Sequence, residues 1–91
     1  MPQFQYGYLV KAPGYSLDKN KTQLESDAFK SQIVGVGSIE EACQAAKELV
    51  ASGVTLLELC SGFKKGDAKN IHDAVEGRIK VGFIGEFFDK Q

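Results

Sequence analysis

The fold is decided by the segment SIEEACQAAKELVASGVTLLELC, residues 38–60, which joins a predicted helix to a predicted strand. Ser38 and Glu41 have the spacing of a capping box, in which the serine oxygen and the glutamate carboxylate satisfy free amides at a helix start. Apolar residues then recur at helical spacing until Gly53, which favours the left-handed turn that ends a helix. Residues 54–60 follow as an almost continuous apolar run, which is typical of a strand covered on both faces.

Outside this unit, three segments have the pattern of strands: residues 3–11, 31–36 and 79–84. Asp67 is predicted to cap a short second helix. Residues 15–30 are polar and fit a turn of helix, an edge strand or an ordered loop. Because strands that alternate with helices indicate parallel βαβ units, we predict a single α/β domain over residues 1–91. Its sheet is mostly parallel, open and four-stranded, in the order β-loop-β-α-β-α-β with two helices.

The composition excludes several classes of protein. The chain has 91 residues, of which 43% are hydrophobic and 25% are charged, so it is neither disordered nor fibrous. Its 11 basic and 12 acidic residues provide no net field that would hold nucleic acid or an anionic membrane. No apolar stretch approaches the roughly 18 residues of a membrane-spanning helix. The start, Met1-Pro2-Gln3-Phe4, does not resemble a secretion signal.

The cysteine and histidine content points away from metal and disulfide chemistry. Two cysteines, Cys43 and Cys60, are too few for a disulfide scaffold and lack CxxC spacing. With His72 as the one histidine, no zinc-binding pattern exists. We therefore predict no cofactor and no metal, and a location in the reducing cytoplasm.

The predicted topology leaves one face of the sheet without cover. If both helical crossovers progress in the same direction, both helices lie on the same face. Yet the first strand looks apolar on both sides, with Tyr6, Tyr8 and Val10 assigned to one face and Phe4 and Leu9 to the other. Either the polar segment after this strand fills the gap, or a second copy of the chain does. We predict a homo-oligomer, most simply a dimer through a sheet face or an edge.

A ligand site is expected at the carboxyl ends of the parallel strands, where α/β proteins bind small molecules. The helices that begin at this edge offer free backbone amides and positive dipole ends, which suit a small anionic metabolite. Lys64 and Lys65 add positive charge beside the second helix. The predicted ligand-binding residues are Pro13, Gly14, Tyr15, Gly37, Ser38, Ser61, Gly62, Phe63 and Glu86.

Glu58 and Cys60 are the candidate catalytic residues. Because side chains alternate along a strand, the two point to the same face. A carboxylate beside a thiol could act as acid–base and nucleophile, although a neighbouring carboxylate also tends to raise the pKa of a thiol. The alternative is that Glu58 faces solvent or an oligomer interface, paired with a lysine such as Lys80.

Four motifs together resemble the DUF6506-like proteins, a family of short bacterial and archaeal proteins of unknown function. They are KAPGY at 11–15, IVGVGSIEEACQAAKELVASGV at 33–54, LLELCSGF at 56–63 and IKVGFIGEF at 79–87. The resemblance implies a small stand-alone α/β protein and assigns no activity.

Three functions remain open from the sequence. The first is a binding module for an anionic metabolite that uses the amides at Ser38 and at Ser61-Gly62. The second is a small lyase, isomerase or hydrolase with Glu58 or Glu86 as the base and Cys60 as nucleophile or pocket residue. The third is a structural or regulatory partner protein whose apolar sheet face meets another chain.

Overall fold

The computed structural model describes residues 3–85, which form one sheet and two helices. In chain order the elements are β1 (Phe4–Lys11), β2 (Lys21–Glu25), β3 (Phe29–Val36), α1 (Ile39–Ala51), β4 (Leu56–Leu59), α2 (Lys65–Ala74) and β5 (Lys80–Phe83). The strand order across the sheet is β2-β3-β1-β4-β5. Strands β3, β1, β4 and β5 are mutually parallel, whereas β2 runs antiparallel to β3 at the edge. The predicted α/β class and mostly parallel sheet are therefore confirmed.

The predicted number of strands was wrong, because the sheet has five strands rather than four. The additional strand, β2, lies within residues 15–30 and extends the edge of the sheet. All five of its residues, Lys21–Glu25, are exposed, and Leu24 is its single large apolar residue. A polar edge strand of this kind lacks the alternation between core and solvent that identifies a strand in a sequence.

The two helices begin in different ways. Helix α1 starts as predicted, with Ser38 as its N-cap. Helix α2 starts earlier than predicted, because Lys64 rather than Asp67 is its N-cap. Asp67 is the third helical residue, and its Oδ2 accepts a hydrogen bond from the Lys64 backbone amide at 2.7 Å. The aspartate thus stabilises the start of the helix from inside the first turn.

The core lies between the two helices and one side of the sheet. In the three central strands, alternate residues such as Leu9, Val34 and Leu57 point towards the helices and are buried. Apolar side chains of α1, α2 and the adjoining turns complete the core. The buried apolar set is Leu9, Val34, Val36, Ala42, Ala45, Ala46, Leu49, Val54, Leu57, Leu59, Phe63, Ile71 and Val75. Both helices thus lie on the same side of the sheet, as predicted. The side that they leave uncovered is called the open face below.

The open face carries the other set of alternate strand residues. Phe4 was predicted to lie on the other face of the sheet from Tyr6. It lies on the open face together with Tyr6 instead, because residues two apart on a strand share a face. Its ring stacks on that of Phe29 at a centroid distance of 5.2 Å. The residues of the open face are Phe4, Tyr6, Tyr8, Val10, Thr22, Leu24, Phe29, Ser31, Ile33, Gly35, Leu56, Glu58, Lys80 and Gly82.

Candidate functional site

The predicted site loops meet at the carboxyl edge of the sheet in very close contact. A Cβ added to Gly37 would lie 2.7 Å from the backbone oxygen of Tyr15, and one added to Gly62 would lie 2.6 Å from that of Lys11. Both distances are below any normal contact, so only glycine fits at either position. The turn at Pro13 and Gly14 brings Tyr15 back towards the sheet, with the Tyr15 amide bonded to the Ala12 oxygen. The loops after β1, β3 and β4 thus meet at one edge, as a parallel sheet requires, and the ligand role of their residues stays a prediction.

The start of α1, which was predicted to hold an anion, is occupied by a carboxylate of the chain itself. The Glu41 Oε1 accepts hydrogen bonds from the backbone amides of Gly37 at 3.0 Å and Leu17 at 3.2 Å. The Ser38 oxygen accepts from the Glu41 amide at 3.2 Å. Two backbone donors and the serine oxygen therefore already have partners within the chain. Glu41 plays the role that a bound anion would otherwise play.

The loop after β4 also uses its backbone amides for hydrogen bonds within the chain. The Gly62 amide donates to Cys60 Sγ at 3.3 Å, and the Phe63 amide donates to the Cys60 carbonyl oxygen. Phe63, a predicted ligand residue, is only 2% exposed and belongs to the core. Ser61 is exposed and stays a predicted ligand residue. Glu86 lies outside the described residues.

Glu58 lies on the open face among titratable neighbours. Tyr8 is its partner on β1, and Gly82, its partner on β5, leaves room above the sheet. The pKa of Tyr6 is raised to about 12. Burial is the largest cause, followed by the charges of Glu58 and Tyr8 and by a hydrogen bond to Glu58. Burial, followed by Cys60 and Glu58, also raises the pKa of Tyr8.

Cys60 lies close to this cluster at the end of β4. Its sulfur accepts backbone hydrogen bonds from Lys11 at 3.4 Å and from Gly62 at 3.3 Å. Glu58 pairs with Tyr8 across β1 and β4, and Cys60 follows two residues after Glu58. The catalytic role predicted for Glu58 and Cys60 stays a prediction.

A cavity that the sequence did not reveal lies on the open face beside Tyr15. It has a volume of about 360 Å³ and is called the Tyr15 cavity below. The ring of Tyr15 packs so closely over Gly35 that a Cβ there would approach it to 2.7 Å. Its lining residues are Val10, Tyr15, Lys19, Asn20, Lys21, Thr22, Ile33 and Gly35. Tyr15 was the one signal in the sequence; the two lysines belong to the segment whose structure could not be assigned.

A second cavity, of about 420 Å³, lies between the carboxyl-terminal ends of the two helices. Its lining includes Lys47, Val50, Val75 and Arg78, and none of the predicted site residues. Because the carboxyl-terminal end of α1 leads into the start of β4, this cavity is at the opposite edge of the sheet from the predicted site.

Residues 3–85 contain neither a metal-binding cluster nor a membrane-spanning helix. Within them, no three side chains of the histidine, cysteine, aspartate and glutamate types come close enough to hold a metal ion. Neither helix in this range has the length and apolar character needed to cross a bilayer.

The chain is similar to a known protein family. No curated protein and no solved structure shows significant similarity to the chain. A family model described as a family of unknown function, DUF6506, matches residues 4–91. The match includes the five strands and two helices of residues 3–85, together with Tyr6, Tyr8, Glu58 and Cys60. Because it covers nearly the whole sequence, the chain belongs to the DUF6506 family.

Proposed function

We propose that this protein binds a small anionic molecule with a flat apolar part in the Tyr15 cavity. The observation that carries the proposal is the cavity itself, whose volume of about 360 Å³ falls in the range typical of small-molecule sites. It lies at the carboxyl edge of β1 and β3, the general location of ligands in α/β proteins. The proposal thus keeps the anionic ligand expected from the sequence and moves it away from the helix starts.

The lining of the cavity supports this class of ligand. Val10, Ile33 and the ring of Tyr15 provide an apolar wall on which a flat group can pack. Lys19 and Lys21 supply positive charge, and both are exposed. Neither takes part in the two ion pairs found among residues 3–85, so both ammonium groups are available to a carboxylate or phosphate.

The helix starts are poorer candidates for the same ligand. Glu41 and Asp67 place carboxylates on the amides that an anion would need. An incoming anion would have to displace a carboxylate that is tethered to the chain and therefore loses little entropy when it binds these amides. The lysines of the Tyr15 cavity have no such competitor in the described part of the chain.

The test uses cinnamate and its neutral isostere cinnamamide as probes, with amide chemical shifts as the readout. We expect cinnamate to shift the amides of Val10, Ile33 and Gly35, and cinnamamide to bind more weakly. A Lys19→Gln/Lys21→Gln variant should weaken cinnamate binding by roughly 3–10-fold, the effect of losing exposed ion pairs. Cinnamamide binding should be unchanged in that variant.

Lys47→Gln is the matched control, because it removes one exposed lysine from the other cavity. It should leave cinnamate binding unchanged. The proposal fails if about 10 mM cinnamate, enough to detect even millimolar affinity, shifts none of the Tyr15 cavity amides. It also fails if the shifts cluster around Lys47.

A further inference from the structure

We propose that the open face of the sheet is the interface of a dimer formed by two copies of this chain. The inference goes beyond the proposed function and is argued from different observations. Because Val10, Ile33 and Gly35 line the Tyr15 cavity and also belong to the open face, ligand and partner compete for this end of the face. The inference begins from where the exposed apolar side chains lie. Among the described residues there are four large ones: Phe4, Tyr15, Leu24 and Phe29, which are 42–67% exposed. All four lie on or over the open face.

The architecture of the sheet points the same way. Sheets built from parallel strands occur almost only with both faces covered. Here four of the five strands are parallel, and both helices lie on one side. Strand β1 has large side chains on both faces, as a strand between two layers does: Tyr6 and Tyr8 point away from the helices, whereas Leu9 points towards them. The open face is therefore a surface that requires a cover.

The charge on the open face suits an identical partner. Of the residues that the strands place there, Glu58 and Lys80 are the two charged ones, and their charges are opposite. The strand residues of the face thus have no net charge, and the positive charge of Lys19 and Lys21 is confined to the rim of the face beside β2. Nucleic acid or an anionic membrane would require a clear excess of positive charge.

The size of the face is sufficient for a weak dimer. Strands β1 and β3 have eight residues, β2 has five, and β4 and β5 have four each. At about 3.3 Å per residue and about 4.8 Å between strands, they cover roughly 450 Å². Two copies would therefore bury roughly 900 Å², a size typical of weak and transient interfaces. We expect a dimer that dissociates in the micromolar range, rather than an obligate one.

Pairing through the edge of the sheet is less favourable than pairing through the face. Strand β2 is the edge beside β3 and carries Lys21, Gln23 and Glu25, all exposed. Charged residues on an edge strand are a common means of preventing strand addition. The aromatic side chains, in contrast, stand on the face and not on the edge.

The experiment compares two substitutions on neighbouring residues of β2 that point to opposite sides of the sheet. Leu24→Lys puts a charge on the open face, whereas Gln23→Lys puts the same charge on the helix side. Both residues are exposed, so both variants should fold. Sedimentation velocity of each full chain is measured from about 1 to about 500 µM, a range that brackets the expected dissociation constant.

We expect the unmodified chain to dimerise within this range and Leu24→Lys to raise the dissociation constant at least about 10-fold, because each copy loses a buried leucine. Gln23→Lys should dimerise as the unmodified chain does. A chain that stays monomeric throughout the range overturns the proposal. So does equal weakening by both substitutions, which would indicate pairing through the β2 edge.

Discussion

Replacing Glu41 with alanine is the sharpest test of how the start of α1 is stabilised. The substitution removes the acceptor of the Gly37 and Leu17 amides and a negative charge in the first helical turn. Two charge-assisted hydrogen bonds at a partly exposed site contribute about 1 kcal/mol each, and the helix dipole adds about 0.5 kcal/mol. We expect a loss of about 2–3 kcal/mol, which lowers the melting temperature of a chain of this size by about 10–20 °C.

Glu40 is a matched control, because it is the other acidic residue in the first turn and is exposed. Glu40→Ala should cost less than about 1 kcal/mol, since it loses mainly the dipole interaction. Glu41→Gln should fall between the two, because it keeps an acceptor oxygen and loses the charge. The measurement is chemical denaturation followed by circular dichroism. If Glu41→Ala and Glu40→Ala cost the same, the carboxylate does not hold these amides.

The Glu41→Ala variant also tests whether this is a latent anion site. Without the carboxylate, the Gly37 and Leu17 amides have no side-chain acceptor, and a small carboxylate from solution can replace it. We expect acetate to stabilise Glu41→Ala more than it stabilises the unmodified chain, with chloride at the same ionic strength as reference. Equal stabilisation of both proteins would show that the site is not reconstituted.

Three further predictions concern the core, a loop contact and the tyrosine cluster. Leu57→Ala, at a fully buried position, should cost about 3 kcal/mol in urea denaturation; a loss below about 1 kcal/mol would contradict the packing. Gly62→Ala should destabilise, because its Cβ would lie 2.6 Å from a backbone oxygen, whereas Gly66→Ala, in open space within α2, should stabilise by about 0.5–1 kcal/mol. The pKa of Tyr6 is raised from 10.0 to about 12, so the stability that Tyr6 contributes below pH 10 should be lost as the pH rises towards 12, and tyrosinate absorbance reports the titration. Glu58→Gln should lower the pKa of Tyr6, and an unchanged pKa would exclude the contact between the two side chains.

Helix α1 could be predicted almost residue by residue because local chemistry specifies both of its ends. Ser38 and Glu41 mark the start, and the glycine at position 53 adopts a positive φ of 109° after the last turn. Its buried face, which includes Ala42, Ala46 and Leu49, follows directly from helical spacing. Signals of this kind lie within a few residues of one another, so they do not depend on tertiary structure.

The start of α2 was misplaced, and strand β2 could not be chosen over a helical turn or a loop, because the signals for both elements are weak or point to the wrong residue. Lys64 has no side-chain acceptor and is not a preferred N-cap, so Asp67 appeared the better choice. In the structure Asp67 acts from the third helical position. Strand β2 depends on pairing with β3, and a strand that depends on a partner distant in sequence has little local signature.

The candidate site was predictable in its location but not in its details. Parallel strands must bring the loops after β1, β3 and β4 to one edge, so the approach of Tyr15 to Gly37 and of Lys11 to Gly62 follows from topology. The capping box predicts that Glu41 bonds to an amide at the start of α1, but not that Leu17 is one of its donors, because that bond depends on the path of residue 17 over the helix start. The Tyr15 cavity depends on the same segment, whose conformation the sequence left open.

The apolar run of β4 was predicted to belong to a strand covered on both faces, whereas residues 3–85 cover only one of its faces. Leu57 and Leu59 are buried under the helices, whereas Leu56 and Glu58 are only partly buried. A dimer through the open face would resolve this difference, because it supplies the second layer that the pattern of the strand requires. Glu58 then becomes the costly residue, since a carboxylate in an interface must keep hydrogen-bond donors. The neighbouring Tyr6 hydroxyl is the donor closest at hand, because Glu58 contributes to the raised pKa of Tyr6 through a hydrogen bond as well as through its charge.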